Sequence, residues 1–255
     1  MLALLAAPAV AQDGPRFCPN RPDLGSGACT IEPGRVLLEA SAIDWERDDA
    51  GGERRDAFLI GDILLRTGLD DRTEIQVGAA LVGHIRDRSS GRGDRTTSIG
   101  DVRLGVRRNL LNPDGDGLSI AVEPFVVAPI GERPVGDGDW SGGVALPVSY
   151  ELADRWDLGF TGELAAAADE DGDGRHASAL GIVGLGYAVT DQVGVVAELS
   201  LRRDEDPAGA ATEAVAALSA GWRPRPTLQW DVLAAIGLNR SSPDIRIALG
   251  GAVLF

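Results

Sequence analysis

The chain has 255 residues, a formal net charge of −15 and a mean hydropathy of −0.01, with 34 glycines and only 5% aromatic residues. Such acidity argues against nucleic acid as a partner, and the lack of any run of about 18 apolar residues excludes a transmembrane helix. Length and glycine content fit one large all-β domain with many tight turns better than a helix-rich enzyme.

Residues 1–12, MLALLAAPAVAQ, are apolar and end in the small-residue pattern Ala9-Val10-Ala11. They are expected to be a secretory signal peptide cleaved near Ala11 or Gln12, with a truncated start because the basic n-region is missing. Residues 13–34 read as an irregular periplasmic extension. It holds Cys18 and Cys29, the only cysteines, for which an oxidising compartment favours a local disulfide; two free thiols in a loose tail are the alternative.

From residue 35 to 255 the pattern is of strands. The first covers 35–45, and 46–56 follows as a loop with eight charges in eleven residues. Runs 57–69 and 73–86 are joined by Asp70, Asp71 and Arg72, which leaves a tight hairpin as the connection. In the second run Ile75, Val77, Ala79, Leu81, Gly83 and Ile85 share one face, and Glu74, Gln76, His84 and Arg86 share the other, because strand side chains alternate. Further strands are expected at 97–108, 118–130, 140–152, 156–168, 175–189, 193–203, 212–222, 227–238 and 245–255. Pro124, unable to donate to a ladder, marks a bulge or local break.

That makes twelve antiparallel strands. Turns around Asp71, Asp154, Asp191 and Arg225 are short, and the connections between them are longer and mostly charged. Strands of this length with an apolar and a polar face suit a bilayer, as does the alternation of short turns with long loops. The expected fold is a single transmembrane β-barrel in the bacterial outer membrane, surrounded by outer-membrane lipid, with short periplasmic turns and long extracellular loops. Trp140, Tyr150, Trp156, Trp222 and Trp230 fall near strand ends, where amphipathic rings favour the headgroup zone. The last strand alternates apolar residues and ends on Phe255, which resembles the recognition signal of the outer-membrane barrel assembly machinery.

The segments CPNRPDLGSGACTIEPGR (18–35), GDILLRTGLDDRTEIQVG (61–78) and GDVRLGVRRNL (100–110) together resemble the MetA-pathway of phenol degradation family. The resemblance implies an outer-membrane barrel that passes small solutes, aromatic or hydrophobic compounds among them. It carries over Arg66 and Glu74 as the matched residues of a strand-turn-strand motif. The alternative function is a closed barrel with a structural or surface-interaction role.

With the apolar faces outward, the lumen candidates are Arg66, Glu74, Arg86, Asp101, Arg103, Arg107, Glu123, Glu151, Glu163, Glu198 and Arg246. Arg66, Arg103, Arg107 and Arg246 are expected opposite Glu151, Glu163 and Glu198, as a charged ring that selects solutes; simple ion pairing is the bland alternative. Asp169, Asp171 and Asp173 have the spacing of calcium ligands, but Leu180 stands where the bidentate Glu belongs. Asn112, Asp114, Asp116 and Glu123 match on paper, though Glu123 falls inside a strand. Neither is expected to bind metal, no cofactor is expected, and His84 and His176 lack the partners of a catalytic pair.

Overall fold

The protein is described by a computed structural model covering residues 14–89, 92–172 and 174–255. The expected signal peptide, residues 1–12, lies outside the described residues, as does Asp173. Thirteen strands follow in order: β1 (Val36–Ala50), β2 (Glu53–Asp70), β3 (Thr73–Ser89), β4 (Arg92–Ser98), β5 (Val102–Leu111), β6 (Leu118–Ala128) and β7 (Ser141–Ala153). Then come β8 (Trp156–Ala168), β9 (Arg175–Ala188), β10 (Val193–Asp204), β11 (Ala211–Arg225), β12 (Leu228–Gly237) and β13 (Ile245–Leu254).

All pairings between these strands are antiparallel, and β1 pairs with β13 from Leu37↔Leu254 to Arg47↔Ile245, which closes a twelve-stranded barrel. The additional strand is β4. It pairs with the outer part of β3 (Gly83↔Ser98) in the same register in which β5 pairs with the inner part (Ala79↔Val102), so β4 and β5 are one wall strand interrupted at residues 99–101. Gly100 bridges the interruption by donating its N–H to the Ala80 carbonyl (2.8 Å).

Alternation decides which face meets lipid. In β12 Gln229, Asp231, Leu233 and Ala235 are buried, while Trp230, Val232 and Ile236 are exposed. Such a strand averages to neutral hydropathy while dividing cleanly into a lumen face and a lipid face. At the short-turn end Trp222 pairs with Trp230, and Trp156 packs on Tyr187 with ring centroids 4.6 Å apart.

Two expectations are corrected, and the local break expected at Pro124 is present. Residues 46–56 are not a loop: β1 and β2 run through them on either side of Gly51 and Gly52, because charges of opposite sign face one another across the strands, as in Arg47↔Asp56, Asp48↔Arg55 and Asp49↔Arg54. Residues 87–89 and 92–96 likewise lie in β3 and β4, with Asp87 opposite Arg55 of β2. At about 3.3 Å per residue, the 18 residues of β2 reach roughly 60 Å, well beyond a bilayer core of about 30 Å, so this side of the barrel stands tall outside the membrane. Pro124 does interrupt the ladder to β5 between Gly105 and Arg108 but causes no bulge; the register shift lies at Asn109/Leu111. The faces also exchange along the tall side. Near the turns Glu74 and Gln76 are buried in the bore, whereas further out Ile85 is buried and Gly83 packs against Val135. The exchange coincides with the 99–101 interruption, the positive φ of Gly61 and the β1 bulge between Ser41 and Ile43.

Candidate functional site

The segment expected as a periplasmic extension enters the bore. Irregular backbone inside a barrel has no strand partner, so its polar groups must be met by wall side chains. Glu198 on β10 accepts the N–H groups of Leu24 (2.7 Å) and Gly25 (3.0 Å). Thr161 on β8 accepts from Ser26 (2.8 Å), Ser149 on β7 from Ala28 (3.2 Å), and Glu74 on β3 from Ile31 (2.8 Å). From β1 Glu39 accepts the Arg21 N–H (2.9 Å), and the Arg21 guanidinium reaches Asp231 of β12 (2.8 Å). Cys18 and Cys29 form a disulfide. Ile31 joins Leu37, Ala252 and Leu254 in a buried cluster with Phe17 and Cys18 against it. The result is a covalently closed plug at the end carrying the short turns.

Beneath the plug lies a chain of alternating charge. Arg66 donates to both oxygens of Glu74 (2.8 and 3.2 Å), to Glu39 (3.2 Å) and to the carbonyls of Cys18 (2.8 Å) and Cys29 (3.2 Å). Arg107 donates to Glu123 (2.7 and 2.9 Å) and to the Cys29 carbonyl (3.4 Å), and Gln76 bridges Glu74 and Glu123. Arg103 extends the chain to Glu163 (3.1 Å) and lies over the Phe125 ring. Arg66, Arg107 and Glu74 are wholly buried, and each guanidinium divides its donors between wall carboxylates and plug carbonyls, a use for which the five-donor fork is suited.

The other candidates fall elsewhere. Glu198 holds the plug. Arg246 forms a two-bond pair with Asp44 (2.6 and 2.9 Å) higher in the bore. Asp101 accepts the N–H groups of Gly131 (2.8 Å) and Asp137 (2.7 Å) and so ties the loop at 131–139 to the break between β4 and β5. That loop folds inward: Val135 rests on Gly83, Arg55 donates to the Pro134 carbonyl (3.5 Å), and Arg133 donates to the carbonyls of Asp169 and Glu170. Glu151 sits at the turn rim, accepting the Gly117 N–H (2.9 Å). Arg86 is on the face opposite the bore, beyond the face exchange; it stacks over Phe58 and donates to His84 (3.0 Å). The expected separation of arginines from glutamates across the bore is therefore not what the side chains form. Arg103 meets Glu163 directly, and Arg66 and Arg107 meet acids on neighbouring strands. Glu123 is committed to Arg107, so it adds nothing to the 112–117 turn.

Sequence reasoning did not single out Arg21 and Leu24, nor Asn20, which accepts from Arg66 and Arg107, nor Asp23, which accepts from Ser219, although all four plug residues touch the wall. The available signal was their position inside the Cys18 to Cys29 loop together with an excess of wall polar groups needing partners. At the outer mouth, the N–H groups of Ala208 and Glu170 hold the loop carboxyl of Asp206 below the usual carboxylate range.

A family described as "Putative MetA-pathway of phenol degradation" matches residues 19–255. The chain belongs to this family. Among solved structures, it is similar to an outer membrane channel from Pseudomonas putida F1, at 17% identity and a TM-score of 0.72, covering 91% of this chain and 99% of that one. The NanC porin aligns at 8% identity and a TM-score of 0.54, covering 86% and 99% of the two chains. The translocator domain of the autotransporter NalP from Neisseria meningitidis aligns at 15% identity and a TM-score of 0.53, covering 87% and 88%. No curated protein matches by sequence. These likenesses share the fold, and this family member is a bacterial outer-membrane β-barrel.

Proposed function

We propose that the protein is a passive, non-enzymatic channel for small solutes, and that its route runs beside the plug along the β8 to β11 wall. The observation that carries this reading is a succession of cavities with shared walls. An outer vestibule of about 530 Å³ lies under the inward loop, and Arg202 lines both it and a deeper cavity of about 230 Å³. Ile182 lines that cavity and the next, of about 220 Å³, with Leu24 and Gly25 of the plug between them. Asp23, Ser149, Asp157, Gly186 and Val196 then line both this cavity and a periplasmic vestibule of about 560 Å³. Ile182 and Val196 face the third cavity and give it an apolar part, which suits aromatic or hydrophobic solutes.

The test is single-channel recording from the refolded protein in a planar bilayer. Discrete steps that enlarge in Leu24→Gly support the route. Silence from protein shown to be folded favours a closed barrel with a structural role, a reading to which the buried ion-pair chain lends weight. We further propose that Phe255, 65% exposed at the end of β13, is read by the barrel assembly machinery; Phe255→Ser is expected to lower the amount of folded barrel recovered from membranes.

A further inference from the structure

The outer rim carries a cluster of side chains at the mouth of the proposed route. His176, near the start of β9, has a side chain only 6% exposed and is ringed by carboxylates from three elements. Its Nδ1 lies 2.9 Å from Asp169 in the β8–β9 loop and 3.4 Å from Asp206 in the β10–β11 loop. Its Nε2 lies 2.5 Å from Asp204 at the end of β10, yet is buried without an aligned hydrogen-bond partner. A neutral imidazole has one N–H. If that proton faces Asp204, the Nδ1 lone pair confronts two carboxylate oxygens, which is repulsive unless a second proton or a metal cation stands between them.

We infer that Asp169, His176 and Asp206 form a binding site for a divalent transition-metal ion of the zinc type, with Asp204 orienting the imidazole from behind. One nitrogen and two carboxylate oxygens are a donor set that Zn²⁺ accepts, and bonds of about 2.0–2.1 Å at a tetrahedral centre put ligand atoms about 3.3 Å apart. The observed 2.9 and 3.4 Å need little adjustment. A carboxylate behind a metal-bound histidine is the usual means of fixing its tautomer. Access is open, since His176, Asp204 and Asp206 line the outer vestibule. The site would brace the mouth: Asp206 also accepts the Glu170 N–H (2.8 Å), and the carbonyls of Asp169 and Glu170 hold Arg133 of the inward loop.

The chain has two histidines, which allows a test on the unaltered protein. Refolded barrel is treated with diethylpyrocarbonate with and without Zn²⁺, and modification of His84 and His176 is located by peptide mass. Selective protection of His176 by Zn²⁺, together with Zn²⁺ binding that is lost in His176→Gln and weakened about 10- to 100-fold in Asp204→Asn, supports the site. Equal modification of His176 with and without Zn²⁺, or Zn²⁺ binding unchanged in folded His176→Gln, would overturn it and leave His176 as an imidazolium held by three carboxylates.

Discussion

Arg66 shows how one side chain joins wall and plug. It occupies a wholly buried position between Glu39 and Glu74 and donates to two plug carbonyls. Replacing it with methionine leaves Glu39 buried without a cation at hand and Glu74 with Arg107 alone, at 3.7 Å, and breaking a buried pair from one side costs about 3–5 kcal/mol. Arg66→Met is therefore expected to lower the urea midpoint of unfolding strongly, with Arg66→Met/Glu74→Gln recovering part of the loss. Arg66→Lys is expected to resemble the methionine variant more than the wild type, because an ammonium cannot span the bidentate Glu74 contact and the carbonyls together. Gly68 is the second critical position. A Cβ there would run into the carbonyls of Ile31 and Glu32 where the plug leaves the bore. Gly68→Val should displace that exit, and faster proteolysis of the N-terminal segment in the folded barrel is the readout.

For the plug as an element, the relevant term is chain entropy. The disulfide closes a loop of sequence separation 11, and a crosslink of that span stabilises by about 3 kcal/mol. The barrel ladder does not depend on it. Cys18→Ser/Cys29→Ser is expected to fold with an unchanged strand signature in circular dichroism while giving larger and noisier conductance steps than wild type. Identical steps from both proteins would mean that the wall hydrogen bonds alone hold the plug. The inward loop at 131–139 is held differently, by Asp101 at its base and Arg133 at its tip. Asp101→Ala should free it without loosening the plug, so the two constrictions can be separated by experiment.

Over the whole molecule, the charge along the route sets the expected selectivity. The third cavity is lined by Asp23, Asp157 and Glu198, with no Arg or Lys among its described lining residues. Carboxylates in a narrow, weakly screened passage favour cations. The reversal potential in a KCl gradient is expected to show cation preference, moved toward zero by Asp157→Asn/Glu198→Gln. Conductance with anion preference would contradict this charge argument while leaving the channel reading intact, whereas absence of conductance would remove the channel itself.

The sequence by itself determined the barrel, its closure with twelve strands and the lipid face near the short turns, and it favoured the disulfide, because each depends on local alternation, turn length or the spacing of two cysteines. Ile75 and Val77 against Glu74 and Gln76 are legible without coordinates. Two kinds of feature were settled only in three dimensions. The first is pairing at a distance: the charged stretch at 46–56 looks like a loop until Arg47 is seen opposite Asp56, and Arg86 appears inward until the face exchange near Gly61 and Gly100 turns it out. The second is the occupancy of the bore. Irregular backbone has no period, so nothing in residues 14–35 announces that it will satisfy its hydrogen bonds on Glu198, Thr161 and Glu74, far away in the chain but facing it across a closed sheet.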